Sequence, residues 1–455
     1  MKQQESEQAL ASAPVSKLLL HYALPAIVTM TASSLYNIMD SIFIGHGVGP
    51  LGISALAIAL PLMNLAAAFG ALIGVGASAY FSIKMGEKDE KTQLQILGNT
   101  LMLNVILGIL FSGIGLIFLD QILAIFGASE NILPYARDYM RIILYGNIFT
   151  HIYLGLNNLL RASGHPRHSM TIMLIAIFTN GVLDALFILQ FGWGVAGAAW
   201  ATVIAQVLAA LIQIAYFLRK SHPVHFTAAS LRLSKSVVNR IVSIGMASFL
   251  VNIGASIVVV FINNALMRYG GDLYIGAFGI ANRVAMVIVM IILGLAQGMQ
   301  PVVGYNFGAL NISRVKQAYL LTAACATVVT VLGAAVVMVF PEAIALMFTT
   351  DKELTEITTR ALRIVFFSFP VVGFQIVTAN FFQSIGMAGK AIIQSTLRQM
   401  VFLIPGLIIL PQLFGIDGVW MSMPISDALA AIVASIIIYQ GWKYLNALKA
   451  STARA

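Results

Sequence analysis

The chain has 455 residues, of which 59% are hydrophobic and 9% charged, and its mean hydropathy is +0.91. A soluble domain carries about 25% charged residues, so this composition excludes a water-facing globular surface and predicts a membrane protein. The net charge of +9 does not indicate nucleic-acid binding, because the basic residues lie in short segments between apolar runs. The one cysteine, Cys325, lies within an apolar run, which excludes a disulfide framework and a cysteine-based metal site.

Apolar runs long enough to cross a bilayer follow one another along the whole chain, separated by short turn-forming and polar segments. Continuous runs of this kind predict an all-α polytopic membrane protein rather than a β-barrel. The polar residues 1–16 lack the apolar core of a signal peptide, so we expect the first helix to be retained. We predict twelve transmembrane helices at about 17–44, 52–82, 93–119, 131–160, 168–190, 195–219, 237–268, 273–304, 313–340, 354–385, 390–411 and 416–441.

The basic residues predict the orientation of these helices. Most Lys and Arg lie in the tails and after even-numbered spans, whereas the segments after odd-numbered spans hold only Arg268 and Lys352. Positively charged loops stay in the cytoplasm, so both termini should be cytoplasmic. For a bacterial chain, this predicts a multi-pass protein of the inner membrane.

The chain also repeats itself at an offset of about 222 residues, where Asn158 matches Asn380 and Gly164 matches Gly386. Six helices return each half to its starting side, so the halves should be related by a pseudo-two-fold axis along the membrane normal. Two such bundles around a cleft are typical of alternating-access transporters. The predicted organisation is a tail at 1–16, an N-terminal lobe at 17–219, a linker at 220–236, a C-terminal lobe at 237–441 and a tail at 442–455.

Two aspartates, Asp40 and Asp184, lie within apolar spans of the N-terminal half. A charged Asp near the bilayer centre costs about 2.5–3.5 kcal/mol, so such residues usually line a cavity and carry function. Polar residues at helical spacing around these two aspartates predict one pocket of oxygen ligands, suited to a proton or Na⁺. The members of this predicted pocket are Tyr36, Asp40, Tyr139, Tyr153, Asn157, Asn180, Asp184 and Thr202.

Each of these residues also has a structural interpretation. Asn157 and Asn180 would also serve as interhelical hydrogen-bond partners, and the tyrosines would also serve in packing. Asp40 would also fit as the buried partner of an arginine. Pro25 interrupts the first span, where it produces either a static kink or a hinge on the helix that carries Asp40.

The C-terminal half lacks the two carboxylates of the N-terminal half. It carries Arg283, Arg398 and Asp427 within spans, and Asn263 near the position that corresponds to Asp40. One interpretation is a structural or gating network in which Asp427 pairs with an arginine. The other is a second polar lining of the cleft.

With these residues in view, the chain resembles the multidrug and toxic compound extrusion (MATE) transporters, in particular their DinF-like branch. The resemblance covers nearly the whole length. It rests on these segments: LYNIMDSIFIGHGVGPLGISALA, NNLLRASGHPR, TNGVLDALFI, GVAGAAWATVIAQ, GAFGIANRV and GLAQGMQPVVGYNFGA.

The resemblance implies efflux of cationic, amphipathic compounds, driven by inward flow of H⁺ or Na⁺ as the coupling ion and with no other cofactor. It implies an ion site in the N-terminal lobe at Asp40, Asn180, Asp184 and Thr202, with Tyr139 and Asn157 nearby, and a bend of the first helix at Pro25. We therefore expect a monomer in the lipid bilayer that binds small organic cations and no nucleic acid. It should not be an enzyme.

Three other functions fit the sequence less well than efflux does. A lipid-linked precursor flippase of the same superfamily would need a large cationic cleft for pyrophosphate, whereas the N-terminal lobe is acidic. A major-facilitator carrier would show a different signature after the second helix and a longer charged linker. An intramembrane aspartyl protease is disfavoured because Asp184 lies in NGVLDAL rather than a GxGD-type motif. No phosphate-binding loop is present, so ATP is not the direct energy source.

Overall fold

The computed structural model describes residues 8–220 and 222–452, and the side chains at 35–42, 46, 50 and 452 lie outside this description. Every regular element in the described part is helical. The α-helices are α1 Val15–Gly47, α2 Pro50–Gly86, α3 Glu90–Ile117, α4 Leu119–Ile125, α5 Leu133–Ala162, α6 Pro166–Asp184, α7 Gly194–Leu218, α8 Lys235–Tyr269, α9 Asp272–Gly308, α10 Ile312–Val339, α11 Pro341–Leu346, α12 Lys352–Phe367, α13 Phe369–Ser384, α14 Ala388–Thr396 and α15 Ile404–Thr452. Two π-helices, π1 Ala185–Gln190 and π2 Leu397–Leu403, continue α6 and α14.

The described helices account for all twelve predicted spans. Among the described residues, nine segments are long and apolar enough to cross a bilayer, and the bent pair α12–α13 makes a tenth. One of the nine, Ala388–Ser451, covers two predicted spans, because Gly415 breaks it with a φ of 59°. The remaining span is α5, whose 30 residues include many polar side chains. The all-α, twelve-helix prediction is confirmed.

The predicted span 354–385 is broken in the structure. α12 and α13 meet at Ser368 with a bend of 50°. Pro370, the second residue of α13, has no backbone N–H to continue the hydrogen-bond ladder, and its ring disfavours helical geometry in the residue before it. The sequence therefore contained the signal for this break.

The chain divides into two compact units, and the helices α1 and α8 contribute to both. The first unit contains Val28–Asn252, and the second contains Ala13–Ile27 together with the chain from Ile253 onward. Inside the second unit, the start of α1 lies close against α9, since a Cβ added at Gly298 would lie 2.4 Å from Ala23 Cα. Inside the first unit, the start of α8 lies equally close to α2, because a Cβ at Gly76 would lie 2.1 Å from the Ile241 carbonyl oxygen.

The segment between α7 and α8 belongs to the first unit and is folded against the end of α7 and against α3. Phe226 donates its backbone N–H to the Phe217 carbonyl at 2.8 Å, which turns the chain back along the end of α7. The buried side chain of Asn99 on α3 then holds the next residues through three hydrogen bonds. Its Nδ2 donates to the carbonyls of Ser230 (3.2 Å) and Arg232 (3.0 Å), and its Oδ1 accepts from Ser234 N (2.8 Å).

Candidate ion-binding site

Three of the predicted site residues come together inside the first unit. Asn180 on α6 donates a hydrogen bond from Nδ2 to Thr202 Oγ1 on α7 at 3.2 Å. Asp184 is the last residue of α6 and lies one turn beyond Asn180 on the same helix face. The exposures of Asn180, Asp184 and Thr202 are 2%, 1% and 3%. The arrangement is a buried carboxylate next to an amide and a hydroxyl, whose oxygens suit a proton or Na⁺.

A π-helix begins directly after Asp184. In π1 the backbone N–H of Phe191 donates to the Leu186 carbonyl five residues earlier, at 2.9 Å. A turn with glycines at positive φ then leads into α7, at Gly192 (φ 68°) and Gly194 (φ 59°). Short π-helical segments inside α-helices frequently occur at functional sites. The apolar run at about 168–190 predicts one continuous helix here, and the change of geometry at Asp184 is visible only in the structure.

Thr202 is the first member of a row of polar residues along α7, which we call the α7 polar row: Thr202, Gln206 and Gln213. Gln206 hydrogen-bonds with Thr150 on α5. Gln213 donates from Nε2 to Asn157 Oδ1 at 3.3 Å. The row therefore connects α7 to α6 at one end and to α5 further along. Gln206 and Gln213 are not among the site residues predicted from the sequence, although their spacing from Thr202 fits one helix face.

Asn157 lies at a different level from Asn180. Its Oδ1 also accepts a hydrogen bond from Ser169 Oγ at 2.9 Å. Ser169 precedes Asn180 by 11 residues on α6, which corresponds to about 16 Å along the helix. Asn157 is therefore bonded to Gln213 of the α7 polar row, at a level about three turns from Asn180 and about four turns from Asp184 along α6.

The tyrosines of the predicted pocket are buried in different surroundings. Tyr139 is 1% exposed, lies in an apolar cluster that includes Ile188 of π1, and places its hydroxyl 3.9 Å from the sulfur of Met63. Tyr153 is 7% exposed on α5. Tyr36 and Asp40 lie on α1, and their side chains fall outside the described residues.

The structure also contains buried polar residues that are not members of the predicted pocket. His151 and Asn147 lie one turn apart on α5, and Asn104 lies on the neighbouring helix α3. Within the described part of the chain, both ring nitrogens of His151, Asn147 Nδ2 and Asn104 Oδ1 have no hydrogen-bond partner. In the sequence, these residues could have been recognised from the low hydropathy of the fourth predicted span. A span with many polar residues is expected to lie in the interior of its bundle, as α5 does.

In the second unit, Asp427 on α15 pairs with Arg398 on π2. Arg398 Nε donates to Asp427 Oδ1 at 2.6 Å, and Ser368 Oγ donates to Oδ2 at 2.9 Å. The other two residues of the predicted C-terminal network lie elsewhere. Arg283 is exposed and belongs to none of the ion pairs among the described residues, and Asn263 is half-buried on α8.

Pro25 is buried inside α1, and the helix continues through it without interruption. The chain passes from the second compact unit to the first between Ile27 and Val28, just after this proline. No group of three or more His, Cys, Asp or Glu side chains among the described residues is arranged to hold a metal ion.

These features define a polytopic helical membrane protein with a buried carboxylate site in one bundle. The MatE family model matches residues 25–186 and 236–409, and the chain belongs to this family. It is 30% identical over 437 residues to the multidrug export protein MepA of Staphylococcus haemolyticus, covering 96% of each chain. It is 31% identical over 426 residues to MepA of Staphylococcus aureus strain MSSA476, covering 94% of each chain.

Solved structures agree with this assignment. The chain matches the outward-facing conformation of a multidrug resistance MATE transporter of the MOP superfamily with a TM-score of 0.91 and 28% identity, over 98% of each chain. It matches a MATE protein in a bent conformation with a TM-score of 0.91 and 27% identity, over 98% of this chain and 99% of that one. A MATE protein in a straight conformation matches with a TM-score of 0.90 and 28% identity, over 97% and 98%.

Proposed function

We propose that this protein is a secondary active antiporter that exports cationic, amphipathic organic compounds from the cell. The names of the staphylococcal relatives, multidrug export proteins over nearly their whole length, support this substrate class. The observation that carries the mechanism is the 1% exposure of Asp184 beside the hydrogen-bonded pair of Asn180 and Thr202. Because no ATP-binding loop accompanies the site, the energy comes from an ion gradient.

A carboxylate in this environment acts as the coupling group. Charge on Asp184 is expensive inside the bilayer, by about 2.5–3.5 kcal/mol, so the residue gains by binding a cation whenever it is dry. Access to water on the cytoplasmic side then permits release of that cation. We assign Asp40 as the second carboxylate of the same pocket, where one shared proton would relieve both repulsion and desolvation.

We propose H⁺ as the coupling ion. A pocket with two carboxylates holds a charge of up to −2, and a single proton hydrogen-bonded between them is a compact way to reduce it. Na⁺ is the competing ion, because Asn180 Oδ1 has no hydrogen-bond partner among the described residues and, with Thr202, would add neutral oxygens to the carboxylates.

The first test is transport by charge-neutral variants. Asp184→Asn and Asp40→Asn should abolish active efflux of a fluorescent cation from everted vesicles while the protein still inserts and folds. The matched control is Asp120→Asn. The side chain of Asp120 is 53% exposed and pairs with Arg137 at 2.6 Å. Wild-type transport by Asp184→Asn would rule out coupling at this residue.

The second test separates the two ions. A pH gradient is imposed on everted vesicles in Na⁺-free medium, and a Na⁺ gradient is imposed separately at equal pH. Efflux in the first condition is expected. Transport with the Na⁺ gradient alone would show that the coupling ion bound in this pocket is Na⁺ and not H⁺.

We further propose a monomer in the bacterial inner membrane with both termini in the cytoplasm. Single cysteines at Ser129 and Ser236, in a Cys325→Ser protein, test this orientation with an impermeant maleimide. Both serines are exposed, Ser129 between α4 and α5 and Ser236 at the start of α8. Ser129→Cys should react from outside and Ser236→Cys from inside, and labelling of both from one side would contradict the topology.

A further inference from the structure

The second unit contains a buried carboxylate, Asp427, which is paired with an arginine. Two glutamines near it have side-chain oxygens with no hydrogen-bond partner among the described residues. Asp427 is 3% exposed and lies where α13, π2 and α15 meet. Gln375 on α13 donates from Nε2 to the Asp427 backbone carbonyl at 2.7 Å. Gln394, one turn before Arg398, donates from Nε2 to the Ala430 carbonyl at 3.4 Å.

The orientation of both glutamine amides follows from these contacts. A backbone carbonyl only accepts hydrogen bonds, so the nitrogen of each amide must face α15. The opposite atoms, Gln375 Oε1 and Gln394 Oε1, are buried and have no hydrogen-bond partner within the described residues. A buried polar atom without a partner is unfavourable, which indicates that these oxygens face a site for a hydrogen-bond donor.

Arg398 pairs with the Asp427 carboxylate through a single nitrogen. Among the described hydrogen bonds it reaches Asp427 through Nε alone, not through the two-nitrogen fork that makes arginine–carboxylate pairs strong. Its side chain is 36% exposed, whereas that of Asp427 is 5% exposed. Arg398 also lies on the π-helix Leu397–Leu403. The arginine is therefore the partner that is able to leave, and the carboxylate stays.

We propose that Asp427, Gln375 and Gln394 form a binding site for the ammonium group of an exported organic amine, and that Arg398 is a tethered cation which the substrate displaces. The exchange conserves charge, because one cation replaces another at the same carboxylate. A primary ammonium brings three N–H donors, which match one carboxylate oxygen and the two amide oxygens. The site lies wholly within the second unit and is separate from Asp184. This inference rests on the proposed export of organic cations.

The test is a binding measurement in detergent with dansylcadaverine, a fluorescent primary amine, and with uncharged dansylamide as the probe control. All variants carry Asp184→Asn, so that binding is judged without ion coupling at the first unit. Arg398→Met should tighten dansylcadaverine binding about tenfold, because the internal competitor is gone. Adding Asp427→Asn to Arg398→Met should abolish that gain, and neither change should affect dansylamide. The matched control is Arg360→Met, which removes an exposed arginine that pairs with Asp417 at 2.6 Å in the same unit.

If a folded Arg398→Met protein bound dansylcadaverine with unchanged or lower affinity, the proposal would be overturned. The Arg398–Asp427 pair would then have a purely structural role. If Arg398→Met does not fold, Gln394→Met tests the same site without altering the ion pair. It removes an acceptor and only a long hydrogen bond, and it should weaken dansylcadaverine binding several-fold. Equal affinity to the parent would contradict the site. Because no ion gradient is involved, these outcomes do not depend on which ion drives efflux or on whether Asp184 is the coupling residue.

Discussion

Asn180 and Thr202, 22 residues apart in sequence, share a hydrogen bond of 3.2 Å between two buried side chains. This contact fixes α6 to α7 one turn before Asp184. It also orients the Asn180 amide, whose oxygen stays available to the pocket. Neither residue is charged, so the contact contributes geometry and hydrogen bonding to the site rather than charge.

The first prediction concerns this hydrogen bond. Thr202→Val keeps the shape of the side chain but removes the acceptor, leaving Asn180 Nδ2 with an unpaired donor at a cost of about 1–3 kcal/mol. We expect ion-driven efflux to fall at least about tenfold. Thr202→Ser, which retains the hydroxyl, should transport at close to the wild-type rate. Transport by Thr202→Val at the wild-type rate would show that Thr202 is not part of the ion site.

The second prediction concerns the crossing of α2 with the start of α8. A Cβ added at Gly245 would lie 1.7 Å from the Leu72 carbonyl oxygen, which is backbone and cannot move aside. Gly245→Ala should therefore force the helices apart and destabilise the protein by about 1–3 kcal/mol or more. The control is Gly113→Ala on α3, where nothing lies within 4 Å of the added atom. Thermal unfolding in detergent should separate the two, and equal melting temperatures would contradict this packing.

The third prediction concerns pH and the segment after α7. The ring of His222 stacks on Tyr216 at 4.3 Å, and Tyr216 also contacts the rings of His165 and His168. Burial of His222, followed by the charges of Arg219 and His168, lowers its pKa from the ordinary value of 6.5. The folded segment therefore favours neutral His222. Its stabilisation is complete above about pH 6.5 and decreases as the pH falls below that value.

Trypsin cleavage at Arg219 and Lys220 should accordingly increase when vesicles with an exposed cytoplasmic face are taken from about pH 7.5 to pH 5.5. His222→Phe preserves an aromatic stack but does not titrate, so its cleavage should change less with pH. The same pH profile in both proteins would assign the effect to other groups.

The fourth prediction concerns Pro25. The helix α1 passes from one compact unit to the other just after this residue, and proline weakens the helix by removing a backbone hydrogen bond. If α1 bends here during transport, Pro25→Ala should stiffen the helix, reduce the efflux rate several-fold and leave substrate affinity nearly unchanged. Pro61→Ala, the equivalent change inside α2, is the control. Full transport activity of Pro25→Ala would show that Pro25 is not a hinge and has only a static structural role.

Much of the architecture followed from the sequence. Low charge and long apolar runs excluded every soluble fold, and glycines and prolines marked most of the helix ends. The internal repeat also extends to details of the helix geometry. The short helices Leu119–Ile125 and Pro341–Leu346 occupy matching positions in the two halves, as do Gly194 and Gly415, each with a φ of 59°.

The site was only partly predictable. Periodicity correctly assigned Asn180 and Asp184 to one helix face, because residues four apart must share a face whatever surrounds the helix. Periodicity does not show at which level along its neighbours a residue lies. Asn157 was therefore grouped with Asn180, although it bonds to Ser169 and Gln213, about three turns away from Asn180 and Thr202. The partner of Asp427 was likewise one of two arginines until π2 brought Arg398 within 2.6 Å. The membrane class, the helices and their faces are predictable from the amino-acid sequence, since these depend on local composition and spacing. Which faces meet, and at what level, is visible only in the folded chain, because it depends on close packing between helices distant in sequence, down to glycines where backbone contacts backbone.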